Sequence, residues 1–315
     1  MRYPCLDPGG SATVVRVMAS LSGGAERGGG GVVEEPAGLP PRRTIVLPDG
    51  STIAVRFVPG SDPVLLLHGW ALTADVNFCH LMPSVAAEHG LVALDMRGHG
   101  RGLPLAADER FDIARCADDA ASVLDALGID RVVVCGYSLG GPVGLEFARR
   151  HQDRVRGLVF AATAMAFDSR ADQIGRVFFR GLRPLAHLSA GIGRTLPLAY
   201  FRKARARVPE VDRLWPWLNI ELGHCHPRVI VDVILAEYAF DFRPHAAALA
   251  GLPTAVVVTA RDGAVPPADQ RELAALLGAE VIELDAAHDV FLAEPGKYVT
   301  ATRTAIGQVL REPAP

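Results

Sequence analysis

The 315-residue sequence predicts an α/β fold with a doubly wound, mostly parallel sheet. Two observations lead to this prediction. Short, uninterrupted apolar runs recur along the chain, as is typical of strands buried on both faces. Segments with the 3.6-residue periodicity of amphipathic helices separate these runs. Because predicted strands and helices alternate, we expect a parallel sheet that is covered by helices on both sides.

The strand predictions begin with a hairpin at one edge of the sheet. Thr44–Leu47 and Thr52–Val55 flank an Asp-Gly turn at residues 49–50, and such a turn is a strong hairpin signal. An antiparallel edge is compatible with an otherwise parallel sheet. The remaining predicted strands are the short apolar runs Val64–Leu67, Leu91–Leu94, Arg131–Cys135, Leu158–Ala162, Ala255–Thr259 and Val281–Leu284.

The helix predictions fill the intervals between these strands, with one interval unlike the others. The predicted helices are Val76–Glu88, Ile113–Leu127, Leu139–Arg150, Pro267–Leu277 and Lys297–Leu310. Residues 166–249 contain no convincing strand and are rich in aromatic side chains, so they predict a helical cap above the sheet. These aromatic residues can form the core of the cap itself, or they can line an apolar substrate pocket, and both can hold at once.

The domain organisation follows from composition. Residues 1–42 contain a run of four glycines at 28–31 and a Pro-Pro pair, with little to bury, and predict a disordered tail. Residues 43–165 and 250–312 predict one α/β core, which the cap interrupts at 166–249. No convincing secretory signal frames the apolar residues near Val14–Leu21, so we expect a cytoplasmic protein.

Charge and cysteine content exclude several classes of protein. The formal charge of −3 gives no general attraction to nucleic acid. No apolar run approaches the ~18–20 residues that stable membrane insertion requires. Five scattered cysteines argue against a disulfide framework and favour a reducing compartment. The tripeptide His224–His226 contains a cysteine between two histidines, but its spacing does not predict a metal site.

A serine between two glycines is the first candidate for chemistry. The apolar run Val132–Cys135 leads into Gly136–Gly140, with the sequence G-Y-S-L-G, and a helical pattern follows. A strand-to-helix turn that is sharp enough to expose Ser138 Oγ strains the backbone and leaves no room for flanking side chains. The pattern therefore predicts that Ser138 is a displayed nucleophile, with glycines at positions 136 and 140 for steric reasons.

A serine nucleophile requires a base and a carboxylate that orients it. Asp262 follows the predicted strand Ala255–Thr259, and His288 follows the next one, so both side chains lie at carboxyl ends of strands. Ligands of open parallel sheets bind at that edge. Asp285 and Asp289 flank His288 and are alternatives to Asp262, which we prefer because it ends a separate strand.

Several motifs together resemble the α/β-hydrolase fold family, in its serine esterase and lipase branch. His68–Trp70 resembles the HG-x turn after the third strand, and Asp95–Gly100 resembles the D-x-R-G-x-G loop after the fourth. Gly136–Gly140 matches the nucleophile elbow, whereas Asp262 and His288 match the acid and base positions. The resemblance covers residues from about 44 to 311 and extends to the order Ser, Asp, His along the chain.

The resemblance implies a role for each of these residues. Ser138 is then the nucleophile, His288 the general base and acid, and Asp262 the orienting carboxylate. The backbone N–H groups of Trp70 and Leu139 form the oxyanion hole, and each such donor can change the rate by ~10²–10³-fold. His68 is expected to be structural. Further residues are expected near or in the pocket: Tyr137, His99, Phe178, Trp215 and Trp217.

The expected activity is hydrolysis of carboxylic esters, or of related acyl compounds, of an apolar small molecule. Water is the second substrate, and the chemistry requires no metal or organic cofactor. Cofactor-free haloperoxidase or perhydrolase, lactonase and acyltransferase activities use the same triad and stay open as alternatives. A catalytically silent member of the fold that only binds ligands is the alternative from another class. The sequence leaves the oligomeric state open.

Overall fold

The computed structural model describes residues 33–106, 109–188, 198–199 and 201–311, and these residues contain one eight-stranded sheet. The strand order is β1-β2-β4-β3-β5-β6-β7-β8. The β1–β2 and β2–β4 pairs are antiparallel, and all other pairs are parallel. The strands are β1 Arg42–Val46, β2 Thr52–Val58, β3 Val64–Leu67, β4 Leu91–Leu94, β5 Val132–Tyr137, β6 Val155–Ala161, β7 Thr254–Thr259 and β8 Glu280–Leu284.

The doubly wound, mostly parallel sheet that the sequence predicts is therefore confirmed, including its antiparallel edge. Alternate residues of one strand show why the buried runs are continuous. Leu65 and Leu67 belong to the apolar cluster on one face of the sheet, whereas Val64 and Leu66 belong to the cluster on the other. Both faces are covered, so neither set of side chains tolerates polar residues.

Helices cover both faces of the sheet, and most of them agree with the predicted ranges. The helices are α1 Ala74–Phe78, α2 Met82–Ala86, α3 Ile113–Leu127, α4 Gly140–Arg150, α5 Arg170–Leu188, α6 Pro209–Gly223, α7 Pro227–Glu237, α8 Pro267–Leu277, α9 Val290–Ala293 and α10 Pro295–Arg311, with 3₁₀ turns at Gln152–Arg154 and Arg243–Leu249.

The single helix predicted over Val76–Glu88 is wrong, because the structure has two short helices there. Pro83 lies in the first turn of α2, where a proline is tolerated. Within a continuous helix, the same residue would lack the N–H that bonds to the carbonyl of Cys79, and its ring would clash with that turn. The chain therefore ends α1 at Phe78 and begins α2 at Met82.

The strand order places two loops side by side at the carboxyl edge of the sheet. From β3 the chain crosses to β4 on one side, and from β4 it crosses back to β5 on the other side of β3. Ligands of open α/β sheets bind where the order reverses in this way. Leu67, the last residue of β3, is paired with Gly136 of β5. The loop that begins at His68 is therefore adjacent to the turn that contains Ser138.

Residues 166–249, here called the helical insertion, connect β6 to β7 and contain α5, α6 and α7. An isolated antiparallel bridge between Ala166 and Asp241 joins the two ends of the insertion. The Trp70 indole Nε1 donates to the carbonyl oxygen of Ile230 in α7, at 2.6 Å. The helical insertion is thus held against the loop that follows β3.

The predicted disordered tail over residues 1–42 lies partly outside the described residues. Its last ten residues are described, and they correct the predicted boundary, because β1 already begins at Arg42. Glu35 accepts from the buried Arg56 guanidinium at 2.6 Å, and Asp75 accepts from the same guanidinium at 2.6 Å. The Pro40 carbonyl also accepts from Arg56, so an ion-pair network fixes this segment. Nowhere in the described ranges is a helix both long and apolar enough to cross a bilayer.

Candidate active site

Ser138 lies directly after β5, in the turn that leads into α4. Its φ of 51° is in the left-handed region, which a residue with a side chain rarely adopts. The surrounding structure holds this conformation, because Ser138 N–H donates to Ala161 O at 3.0 Å. Ser138 O accepts from Gly141 N–H and from Thr163 Oγ1, each at 2.8 Å. The turn is therefore strained and fixed, as a nucleophile elbow requires.

The glycines around Ser138 are there because no side chain fits. A Cβ at Gly136 would lie 2.4 Å from the carbonyl oxygen of Gly140. A Cβ at Gly140 would lie 2.0 Å from the carbonyl oxygen of Leu67 in β3. Both contacts are with backbone atoms, which cannot rotate away. The geometry therefore agrees with the predicted steric reason for these two glycines.

Asp262 follows β7 and is surrounded by hydrogen-bond donors. Its Oδ1 accepts from the N–H groups of Ala264 and Val265, at 2.8 and 2.9 Å. Its Oδ2 accepts from Thr259 Oγ1 at 2.7 Å and from Gln270 Nε2 at 3.2 Å. Donors of this kind stabilise an ionised carboxylate in a buried place. The carboxyl group is thereby fixed in both charge and orientation.

His288 follows β8 and is hydrogen-bonded to this carboxylate, with 2.8 Å between its Nδ1 and Asp262 Oδ2. Burial opposes the charged imidazolium, but Asp262 outweighs it, so the pKa of His288 lies above its usual value. Burial likewise opposes the Asp262 carboxylate, but His288 outweighs burial and lowers its pKa. With Nδ1 engaged, the second ring nitrogen of His288 is the one that can exchange a proton with another group.

Tyr137 links His288 to the serine turn. The Tyr137 hydroxyl donates to the carbonyl oxygen of His288, and the two ring centroids are 5.8 Å apart. Ser138 follows Tyr137 in the chain, so the histidine lies beside the turn that holds the serine. Among the described residues, no hydrogen bond joins Ser138 Oγ to His288; catalytic hydrogen bonds are often long or poorly aligned before substrate binds.

The loop after β3 lies close to Ser138. A Cβ at Gly69 would lie 3.4 Å from the Cβ of Ser138, so the two backbones are in close approach. Gly69 N–H donates to Asn77 Oδ1 at 2.7 Å, which fixes this loop. In the described part of the chain, the backbone N–H groups of Trp70 and Leu139 donate to no acceptor. Backbone N–H groups without a partner are uncommon, and two of them in the segments around a serine are candidates for binding an oxyanion.

Two histidines in these loops have structural positions. His68 is fully buried, and its Nε2 accepts from Met96 N–H at 2.9 Å, which leaves Nδ1 to donate to Gly69 O at 2.8 Å. His99 is also buried and packs edge-on against His68 and Phe111. Burial lowers the pKa of His68 to about 3 and that of His99 to about 4. Both rings are therefore neutral, and the structure places His99 in the interior.

The other candidate pocket residues occupy different places. Tyr137 is buried beneath His288, against Phe291 and Tyr298. Trp217 is buried in the apolar cluster on one face of the core, and Trp215 packs partly exposed against the same cluster. Phe178 packs against the apolar cluster of the helical insertion that also contacts Trp70. Of this set, the structure brings Tyr137 into contact with His288 and Phe178 into the cluster around Trp70.

The two aspartates beside His288 are not placed as its partner. Asp285 is largely exposed and pairs with Arg261 at 2.7 Å. Asp289 precedes α9, where its backbone carbonyl accepts from Leu292 and Ala293 N–H groups. Because Asp262 already occupies the Nδ1 side of His288, neither alternative takes that position.

Sequence reasoning missed several residues around the site. Thr163, Gln270 and Asn77 hold the serine turn, the aspartate and the loop after β3, respectively. None belongs to a local motif, because each acts on a residue eight or more positions away. A glutamate at a helix end is normally exposed, but Glu237 is only 3 % exposed, and in its charged form it raises the pKa of His288. Its position at the end of an apolar helix was the available signal.

Comparisons with known proteins agree with this architecture. The sequence model of the α/β hydrolase fold matches residues 62–186. Over 259 residues, the chain is 29% identical to a pimeloyl-[acyl-carrier protein] methyl ester esterase of Neisseria meningitidis serogroup A, covering 80% of this chain and 78% of that protein. It is 27% identical over 258 residues to a putative non-heme haloperoxidase of Mycobacterium phage D29, covering 80% and 90%. A solved esterase from Exiguobacterium antarcticum superposes with a TM-score of 0.70 at 19% identity, covering 84% of this chain and 98% of that one.

Proposed function

We propose that this chain, in which residues 62–186 match the α/β hydrolase fold, is a serine hydrolase acting on carboxylic esters or related acyl compounds of an apolar small molecule. Ser138, His288 and Asp262 form its triad. The single observation that carries the proposal is the hydrogen-bonded Asp262–His288 pair at the sheet edge where Ser138 is held at a φ of 51°.

The reaction proceeds through an acyl-enzyme. Ser138 Oγ attacks the acyl carbonyl while His288 accepts its proton, and the Trp70 and Leu139 N–H groups stabilise the oxyanion. His288 then gives the proton to the leaving alcohol. Water, the second substrate, repeats the sequence and releases the acid, and Asp262 stabilises the imidazolium in both steps. Every proton moves through His288, so these steps need no metal or organic cofactor.

The apolar character of the substrate is supported by the surface that the helical insertion brings to the site. Trp70 packs edge-on against Phe179, with ring centroids 6.3 Å apart. Phe178 and Tyr238 belong to the same cluster, and so does Val265, three residues after Asp262. An aromatic wall beside an oxyanion site favours an apolar acyl group over a charged one. The proteins named as esterases support an ester substrate.

The proposal is tested by covalent labelling. A fluorophosphonate should react with the folded wild-type protein at Ser138 and leave Ser138→Ala unlabelled. Thr163→Ser, which keeps the hydroxyl that bonds to the Ser138 carbonyl, serves as the matched control and should label like wild type. A folded wild-type protein that takes no label would contradict the enzyme and favour a member of the fold that only binds ligands.

A series of p-nitrophenyl esters of increasing acyl length, together with lactones, then defines the substrate. We expect kcat/KM to rise with the length of the acyl chain until that chain covers the aromatic wall. The similarity to a protein named as a haloperoxidase favours perhydrolysis as a second candidate activity. Adding hydrogen peroxide to the same assay distinguishes the two, because a perhydrolase transfers the acyl group to peroxide and forms a peracid.

A further inference from the structure

Helix α7 reaches from the proposed oxyanion loop to the proposed base. Near its beginning, the Ile230 carbonyl accepts from the Trp70 indole at 2.6 Å. Its last residue, Glu237, is followed by Tyr238, which lies in the same apolar cluster as Val265, three residues after Asp262. Ile230 and Glu237 are seven residues apart, which is about 10 Å along a helix. Glu237 is therefore placed beside the site, at the end far from Trp70.

Glu237 is a buried residue whose carboxyl group has no hydrogen-bond or ion-pair partner among the described residues. Only 3 % of the residue is exposed. In the described ranges, its side chain makes no hydrogen bond and no ion pair. Its helix packs instead into an apolar cluster that includes Val231, Ile234 and Tyr238. Asp262, by contrast, is surrounded by hydrogen-bond donors. A buried carboxyl without a partner is costly, and a ligand group can supply what the protein does not.

The environment also decides the charge of this carboxyl. Burial raises the pKa of Glu237, His288 lowers it and Asp172 raises it, and the net result is a pKa of about 8. At neutral pH, Glu237 is therefore largely protonated and can both donate and accept a hydrogen bond. Glu237 is thus protonated whereas Asp262 is ionised. Carboxyl groups of one site that differ in protonation in this way typically have different roles.

We propose that Glu237 determines specificity by hydrogen-bonding a hydroxyl group on the alcohol portion of the substrate. The inference rests on the proposed function, in which His288 gives its proton to the leaving alcohol, so a group beside His288 faces that alcohol. A hydroxyl, like a protonated carboxyl, both donates and accepts. The substrate class is then an ester whose acyl group is apolar and whose alcohol carries a second hydroxyl, such as a hydroxyalkyl ester.

The test compares two esters of nearly equal size, 2-hydroxyethyl butanoate and propyl butanoate. Wild type should prefer the hydroxyethyl ester by ~10- to 100-fold in kcat/KM, because the propyl ester leaves the buried acid unpaired. Glu237→Gln keeps a donor and an acceptor and should keep most of the preference. Glu237→Leu should abolish it by slowing the hydroxyethyl ester and not the propyl ester.

Asp232→Asn is the matched control on the same helix. Asp232 is buried as well, but it is paired with Arg183 at 2.6 Å and with His187 at 3.1 Å. Its substitution loosens the helical insertion without touching the hydroxyl site, so it should change both esters equally. A change of the ester ratio in Asp232→Asn as large as in Glu237→Leu would overturn the assignment to Glu237.

Fluorophosphonate labelling separates failure of this inference from failure of the proposed function. If wild type takes no label and hydrolyses neither ester, the proposed function fails. If wild type is labelled but hydrolyses both esters equally, or if labelled Glu237→Leu keeps the preference, the role of Glu237 is refuted. Should Glu237→Leu not fold, Glu237→Asp replaces it. The shorter side chain moves the carboxyl group away from the substrate and should lower the preference for the hydroxyethyl ester at least ~5-fold. An unchanged preference would again refute the role of Glu237.

Discussion

The carboxyl edge of the sheet and the helical insertion meet at the same site but are built differently. At the sheet edge, backbone packing leaves no freedom: a Cβ at Gly140 would lie 2.0 Å from Leu67 O. In the insertion, Val177 and Leu188 of α5 are 72 % and 85 % exposed. The rigid region supplies the groups that the proposed chemistry needs, whereas the insertion supplies aromatic residues that pack against Trp70. Reaction type and substrate choice can therefore change separately.

The largest expected effect belongs to the sheet edge. His288→Ala should lower kcat for p-nitrophenyl esters by ~10³-fold or more, because the serine loses the group that we propose accepts its proton. The midpoint of thermal unfolding should change little, since His288 is partly exposed. His151→Ala, which removes an imidazole paired with Asp118 on the core surface, is the control and should keep wild-type activity. Near-normal turnover in His288→Ala would remove that residue from its role.

Two glycine substitutions compare the regions directly. Gly140→Ala should cost about 3 kcal/mol of unfolding free energy, because the new methyl group overpacks against backbone. It should also lower kcat ~10²-fold by displacing the neighbouring Leu139 N–H from the oxyanion. Gly181→Ala in α5 meets nothing within 4 Å and should stabilise the helix by about 1 kcal/mol. Denaturant unfolding measures both values, and equal effects would mean that the two regions do not differ in packing.

A smaller effect is expected where the helical insertion is attached to the core. Trp70→Phe removes the indole N–H that donates to Ile230 O, and one such hydrogen bond contributes about 1 kcal/mol. We expect kcat/KM to fall roughly fivefold, mostly through KM, because the substrate wall loosens while the backbone donors stay in place. Trp215→Phe removes a partly exposed indole elsewhere in the insertion and serves as the control. A loss confined to kcat would show that Trp70 affects the chemical step rather than substrate binding at the aromatic wall.

The smallest effect is a displacement along the pH axis. His288 must be neutral to accept the serine proton, and its pKa is raised above the usual 6.5, so kcat/KM should fall as the pH drops through that raised value. Asp262→Asn removes the charge that raises this pKa. The residual activity of this variant should therefore keep its plateau to lower pH than in wild type. An unchanged pH profile of kcat/KM would mean that Asp262 does not raise the pKa of His288.

Local patterns predicted most of the sheet edge, because the determinants lie close together in the chain. The range predicted for α3, Ile113–Leu127, is the one observed, with Asp112 capping its start and Gly128 ending it at a φ of 65°. The elbow glycines and the strand-end positions of Asp262 and His288 follow equally from short stretches of sequence.

The helical insertion was predicted less well, because contacts between residues far apart in the sequence determine how it packs. The bond from Trp70 to Ile230 joins residues 160 positions apart, and no periodicity indicates it. The burial of Glu237 was missed for the same reason, since a glutamate at a helix end is normally exposed. At His99, the nearby motif suggested a place in the pocket, whereas packing against His68 and Phe111 draws the ring into the interior.

The central claim is that a covalent acyl group passes through Ser138, and trapping that intermediate tests it most directly. Mixing the protein with a p-nitrophenyl ester and quenching in acid within milliseconds should give a burst of about one p-nitrophenolate per molecule. The intact mass should increase by one acyl group, and peptide mapping should find it on Ser138. Steady hydrolysis by Ser138→Ala, or an acyl group on another residue, would contradict the account.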